Sequence, residues 1–270
     1  MEHATVRGVA VPKVGFGTAR MTGDECRTAV EDALDLGYRH VDTAQMYANE
    51  TAVGEAVAAA DVDRSEVFLT TKLDRENVAR EEAPRSTEES LDRLGTDYVD
   101  LLLIHAPSRS VPVEETIGAM NDLQDEGNVE HIGVSNFDVD QLRAAMDASE
   151  TPILTNQVEY HPHREQHELL EFCIEADVLL TAYSPLNKGR LDGDETLAEI
   201  GERHGKAPGQ VALRWLIQQR NVVAIPKASS PAHRRENLDV FDFELGPEEM
   251  ERIFELRSGP VEGLRDALGL

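Results

Sequence analysis

Eight short runs of apolar, β-branched residues, separated by stretches with one apolar face at helical spacing, predict an α/β fold closed into a (β/α)8 TIM barrel. Alternating strand and helix implies a parallel sheet, and eight repeats in 270 residues suit a closed barrel, which typically needs about 250. No low-complexity linker divides the chain, so residues 1–270 are expected to form one domain. An open dinucleotide-binding sheet would begin with G-x-G-x-x-G after its first strand. The only similar element, GFGTA from Gly15 to Ala19, lacks the third glycine.

In chain order, TVRGVAVPKVG reads as a small hairpin suited to plugging one barrel end. Strands are then expected at 39–42 (RHVD), 67–71 (VFLTT), 99–104 (VDLLLI), 131–134 (HIGV), 154–158 (LTNQV), 178–182 (VLLTA), 222–225 (VVAI) and 240–243 (VFDF). Between them, Val53, Ala56, Val57 and Ala60, then Val139, Leu142 and Met146, then Val211, Ala212, Trp215 and Leu216 mark apolar helix faces. Gly37, Gly95 and Gly127 follow helical segments, where a left-handed cap favours glycine. Cys26 and Cys173, the two cysteines, sit among apolar residues at helical spacing and read as core.

The charge balance is extreme, with 52 acids against 26 bases, a net charge of −26, and only five lysines. Such a surface stays hydrated when salt screens ordinary repulsion, which fits a high-salt cytoplasm, and it opposes binding to nucleic acid or anionic membranes. The opening MEHATVRGVA lacks the basic-then-apolar order of an export signal, and no apolar run is long enough to span a bilayer; a cytoplasmic protein is expected. From Arg203 to Arg235 the chain has no Asp or Glu but seven Lys or Arg. The first two thirds read equally as a buried helix and strand that exclude acids, whereas the polar end PKASSPAHRR points to an anion.

Barrel chemistry sits at the carboxyl ends of the strands. Those ends carry Asp42, with Tyr47 in the following loop, then Lys72, His105, Ser135 with Asn136, Gln157, Tyr183 and Lys227. A tyrosine acts as a general acid only if its proton is made easier to lose, and a nearby ammonium such as Lys72 stabilises the phenolate. That ammonium needs a partner among apolar walls, and Asp42 is placed to be it. His105 is suited to donate a hydrogen bond to a substrate oxygen. Singly, these residues read as a structural ion pair, a rim aromatic and a core histidine. Their joint appearance on three successive strand ends favours catalysis.

HVDTAQMYANE, TTKL, LGTDYVDLLLIH, GVSNF, NQVEYHP, AYSPL and IPKASSPAHRRENL, in that order and spacing, resemble the aldo-keto reductase superfamily from about residue 5 to residue 255. With the acidic surface, the likeness is to a short-loop prokaryotic type from a halophilic archaeon. The resemblance implies hydride transfer from a nicotinamide cofactor to an aldehyde or ketone. In it Tyr47 is the proton donor, Lys72 and Asp42 lower its pKa, and His105 orients the carbonyl. Thr18, Asp42, Ser135, Asn136 and Gln157 belong to the cofactor set, with the last three at positions that hold the carboxamide. Tyr183 matches the aromatic that stacks on the nicotinamide, and Ser184 and Leu186 match the pyrophosphate loop. Lys227, with Ser229 and His233, faces the adenosine 2′-phosphate, and Glu236 and Asn237 the adenine edge.

Two positions depart from the pattern in the phosphate pocket, where Ala228 and His233 replace a common Ser and Arg; Lys227, Ser229, Arg234 and Arg235 are candidates to compensate. NADPH is the expected cofactor, with NADH as the alternative. Ala19 and Ala106 replace common aromatics on the substrate side, and Arg20 reads either as a carboxylate contact or as a solvated countercharge. The connection after His105 and the tail after Leu256 are short, leaving little protein to close over a large substrate. A small aldehyde, dicarbonyl or keto sugar acted on by a monomer is expected. Two rivals stand beside this: a barrel that binds NADPH as a regulatory subunit, and a metal-dependent hydrolase drawing on His40, Asp42, His105, His161 and His163. The latter is disfavoured by the single histidine on the first of these strands and by the proline within HPH.

Overall fold

The computed structural model describes residues 1–256, so the tail after Leu256 lies outside the described residues. Strands β1 (His3–Val6) and β2 (Val9–Pro12) form the expected antiparallel hairpin. The barrel follows in sequence order: β3 (Phe16–Gly17), β4 (His40–Asp42), β5 (Phe68–Leu73), β6 (Val99–Ile104), β7 (Val129–Ser135), β8 (Ile153–Glu159), β9 (Leu179–Tyr183) and β10 (Val222–Ile225), all parallel. Helices α1 (Gly23–Asp35), α2 (Glu50–Ala59), α3 (Glu82–Leu94), α4 (Val113–Asp125), α5 (Val139–Ala148) and α6 (His167–Glu175) each follow a barrel strand. Helices α7 (Glu195–His204) and α8 (Pro208–Gln218) both follow β9, and α9 (Pro231–Leu238) and α10 (Pro247–Phe254) follow β10. Gly37, Gly95 and Gly127 take the left-handed conformation their positions after helices called for, with φ of 104°, 63° and 82°.

The expected strand at 240–243 is absent. Val240 is buried and Phe241 and Phe243 are partly buried against the core, but the backbone there is turn and bend. Alternating apolar side chains there serve an irregular connection, tied down by Lys206, whose ammonium binds Asp239 at 2.8 Å and Asp242 at 2.7 Å. The eighth strand is instead Phe16–Gly17, too short and too glycine-rich to show a strand pattern. The barrel closes where this strand meets β10: Gly15 N donates to Ala224 O at 2.8 Å, Gly17 N to Pro226 O at 3.1 Å, and Ala224 N to Lys13 O at 2.9 Å. A Cβ on Gly17 would lie 2.9 Å from Ile225 O, so the glycine permits the two backbones to meet.

Two apolar clusters hold the fold. The larger lies between the sheet and the helices; the smaller is inside the barrel, where Ala4, Val6 and Val11 of the hairpin pack on Leu101, Leu103, Leu154, Leu179 and Val223. The hairpin therefore plugs the amino-terminal end, and the carboxyl ends of the strands are left to form a site. Cys26 and Cys173 are free and buried, and burial raises their thiols to about 11 and about 12. Helices α2 and α3 approach most closely at Gly54, where a Cβ would fall 2.2 Å from Leu94 O. Gly54→Ala is expected to force the helices apart at a cost of about 1–3 kcal/mol, read as a lowered thermal midpoint.

Candidate active site

Asp42 closes β4 and Lys72 lies near the end of β5, the adjacent strand, so their side chains meet inside the barrel. Lys72 Nζ donates to Asp42 Oδ1 at 2.5 Å and to Thr43 O at 2.8 Å. Both side chains are shut off from solvent, Lys72 at 0% and Asp42 at 2% exposure, which makes their pairing obligatory. Asp42 Oδ2 accepts from Gln157 Nε2 of β8 at 2.7 Å, so the carboxylate is held from two sides. Burial alone would lower the Lys72 pKa, but the Asp42 carboxylate and Tyr47 outweigh it and keep the ammonium charged.

Tyr47 ends a 3-10 turn (Gln45–Tyr47) above this pair, with Lys72 Nζ 5.1 Å from its ring centroid. His105, just beyond β6, meets the Tyr47 ring edge-on at 5.8 Å between centroids. The phenol pKa is raised, chiefly by burial; Lys72 acts to lower it, as expected from sequence. Asp42 acts the opposite way, because a carboxylate near a phenolate repels it. The role read for Asp42 in lowering the Tyr47 pKa is thus indirect, through holding Lys72. Burial, then the Lys72 charge, pushes His105 down to about 4, and its Nδ1 is buried without a hydrogen-bond partner.

His40, in β4, is likewise pushed by burial from 6.5 down to about 4. The unfolded chain therefore binds protons first, and stability is expected to be flat above pH 6.5 and to fall as pH drops from 6.5 towards about 4. Thermal midpoints measured across this window check it: His40→Gln should give a shallower fall than the native chain.

Ser135 and Asn136 follow from β7, and Asn136 takes a left-handed φ of 63° that an asparagine tolerates. Its Nδ2 donates to Ser135 Oγ and to His105 O, both at 3.0 Å, while its Oδ1 accepts from Tyr183 Oη at 2.9 Å. Tyr183, at the end of β9, is thereby fixed and remains partly exposed. Ser184 follows in a loop with positive φ at Ser184, Asn187, Lys188 and Gly189.

These residues surround one cavity of about 860 Å³ at the carboxyl-terminal mouth. Asp42, Tyr47, His105, Ser135, Asn136, Gln157, Tyr183, Ser184, Leu186, Lys227, Ser229, His233, Glu236 and Asn237 all line it. Lys72 and Thr18 do not. Lys72 lies beneath the floor, and Thr18, fully buried, donates its hydroxyl to Asp42 O at 3.0 Å and so braces the strand end. Lys227 Nζ binds Ser229 Oγ at the lip. Arg234, a candidate to compensate for the missing guanidinium, is not available: it is 2% exposed and binds Asp32, Ala228 O and Ser229 O. Elsewhere in the acid-free segment Arg203, Lys206 and Arg214 also hold carboxylates. The buried-helix reading accounts for its first two thirds, and the polar end lines the cavity.

The profile of the Aldo/keto reductase family matches residues 13–258. This chain belongs to the aldo/keto reductase family. It is 42% identical over 250 residues to an aldo-keto reductase of Mycobacterium avium (strain 104), covering 92% of this chain and 87% of that one. It is 40% identical over 247 residues to the glyoxal reductase of Bacillus subtilis (strain 168), covering 91% and 89%. A crystal structure provisionally assigned as a 2,5-diketo-D-gluconic acid reductase B superposes with a TM-score of 0.93 at 46% identity, covering 96% of this chain and 92% of that one. As a member of the family, this aldo/keto reductase is an oxidoreductase.

Several residues of this reductase escaped the sequence reading. Asn49 Oδ1 accepts from Thr43 Oγ1 at 2.6 Å, and its Nδ2 donates to Thr18 O and Met21 O at 3.0 Å each, tying the loop after β4 to the turn after β3. Gln45 spends its whole amide on Asp74 N, Asn77, Ser86 O and Ser90, bolting the Tyr47 turn to the next loop and to α3. Nothing local marks either residue. Glu159 also lines the cavity, and the two-residue period of β8, which puts it on the face of Gln157, was a signal available from sequence.

Proposed function

We propose that this aldo/keto reductase uses NADPH to reduce a small aldehyde or ketone, of the dicarbonyl or keto-sugar class, to its alcohol, with Tyr47 as proton donor. The observation that carries the reading is the buried Lys72–Asp42 pair directly beneath a phenol that opens, beside His105, into the mouth cavity. A reduced nicotinamide supplies the hydride. The residues fit such a cofactor: a partly exposed tyrosine ring fixed by Asn136, an unpaired amide nitrogen on buried Asn237, and Lys227 at the lip.

In this reading Tyr183 offers its face to the nicotinamide, while Ser135, Asn136 and Gln157 orient the carboxamide. His105, neutral because of its depressed pKa, donates to the substrate carbonyl oxygen and aligns it with Tyr47. Tyr47 releases its proton to that oxygen as negative charge develops there, and the Lys72 ammonium stabilises the phenolate left behind. Ser184 and Leu186 border the pyrophosphate, and Lys227, Ser229 and His233 face the ribose phosphate. The metal-hydrolase alternative finds no support: among the described residues no group of three or more His, Cys, Asp or Glu side chains is arranged to hold a metal ion. The glyoxal reductase relative and the short connection after His105 support a small, polar carbonyl. The net charge of −26 supports adaptation to high salt, and we read the chain as a single-domain cytoplasmic monomer of the short-loop type from a halophilic archaeon.

The test is cofactor oxidation in high salt with NADPH and NADH across small aldehydes and dicarbonyls. Turnover preferring NADPH is expected; the absence of turnover despite tight cofactor binding would favour the regulatory barrel instead. With the active preparation, kcat/KM should stay level through 6.5, where an ordinary histidine titrates, and fall only as pH approaches about 4.

A further inference from the structure

A chain with 52 acids and 26 bases offers each guanidinium many partners, and Arg64, Arg80, Arg85, Arg93, Arg214 and Arg234 all hold carboxylates. Arg39, Arg109, Arg143, Arg190, Arg220 and Arg235 hold none, and neither do Arg20, the one arginine in the lining of the mouth cavity, and Arg75, on the loop after β5 and outside that lining. The places of these last two are set by the strand order. Arg20 is in the turn after β3 and Arg75 in the loop after β5, and between those strands lies β4, whose loop carries Tyr47. The two unpaired cations therefore flank the proposed proton donor on both neighbouring loops.

Both loops are built rather than loose. Arg20 lines the same cavity as Tyr47 and His105. It sits in a turn closed by Met21 N donating to Thr18 O at 3.1 Å, at a φ of 66° where a glycine would be least strained. Asn49 clamps both ends of that turn, and Thr18 anchors it to the carbonyl of Asp42. On the other side, His105 N donates to Leu73 O at 3.3 Å, which sets Asp74 and Arg75 beside His105, and Gln45 holds the Asp74 backbone. The Arg75 charge reaches His105, whose pKa it helps to lower after burial and Lys72.

We infer that the carbonyl substrate carries a carboxylate, received by the Arg20 and Arg75 guanidiniums on either side of Tyr47. An acidic protein repels anions at long range, so binding one requires cations that the protein's own carboxylates do not already occupy. A guanidinium fork fits a carboxylate or a phosphate. The carboxylate is favoured because Asp74 and the cavity-lining Glu159, Asp192 and Glu236 oppose a doubly charged group more than a singly charged one. This inference rests on the reductase reading above and narrows its substrate class.

The test compares succinic semialdehyde with its methyl ester, equal in reach and differing in charge, by kcat/KM with NADPH in the native chain, in Arg20→Gln, in Arg75→Gln and in the double variant. The acid should be preferred about tenfold, as a partly exposed charge-assisted pair allows. That ratio should fall in each single variant and approach one in the double variant. Equal use of acid and ester by the native chain overturns the inference while leaving the reductase intact, as does a preference that survives the double variant. A preference for glyceraldehyde 3-phosphate over glyceraldehyde, without one for the acid, overturns the carboxylate in favour of a phosphate ester. Turnover of neither probe nor of any neutral aldehyde overturns the reductase reading and this inference with it.

Discussion

Tyr47→Phe is expected to lower kcat for aldehyde reduction by about 10²–10⁴-fold, the usual worth of a positioned general acid, while cofactor affinity and thermal midpoint stay near those of the native chain. The substitution removes one hydroxyl and keeps the ring, so its edge-on contact with His105 at 5.8 Å persists. Steady-state kinetics paired with cofactor fluorescence titration separates the two effects. Retained kcat within a few-fold would mean that the proton comes from elsewhere, with neutral His105 the obvious source.

Lys72→Met should be damaging twice over. It leaves the Asp42 carboxylate at 2% exposure facing Gln157 but no counter-charge, and breaking a buried pair on one side costs roughly 3–5 kcal/mol. It also removes the charge that acts to lower the Tyr47 pKa, so activity should collapse along with stability. The double variant Asp42→Leu with Lys72→Met distinguishes these losses. Removing both charges should restore much of the denaturation midpoint, because the uncompensated carboxylate is gone, yet leave turnover as low as in the single variant. If the double variant regained activity, the pair would be structural and the phenol would not depend on it.

The quartet proposed as catalytic was legible in the sequence because each member sits at or just beyond the end of a strand whose apolar run is easy to see. Asp42, Lys72 and His105 end RHVD, FLTTK and VDLLLIH. Strand order then does the rest, since consecutive parallel strands are neighbours. Illegible were features set by partners far along the chain. Phe16–Gly17 is a strand only because β4 and the backbone before and after β10 hold it there, and VFDF resembles a strand yet packs as a loop because its aromatic side chains cover the helical layer. Arg234 looked free for a phosphate since nothing nearby in sequence opposes it; its partner Asp32 is on α1. Asn49 and Gln45 likewise act through backbone atoms of other loops, which no residue pattern reports.

The seam between Phe16–Gly17 and Val222–Ile225 has a bearing on how the molecule comes into being. A chain emerging from the ribosome presents the first edge early, and its mate only after the six intervening barrel strands have been made. Until then the nascent sheet is an open ribbon with an unsatisfied edge exposed to other chains, the arrangement most prone to misassembly. Gly17 lines the mouth cavity from one side of this seam and Ile225, Pro226 and Lys227 from the other, so no product that stops short of β10 can possess a complete site. Any molecule lodged across that lip acts as a rivet, and its presence during synthesis would hasten the final docking event and shield the edge from neighbours.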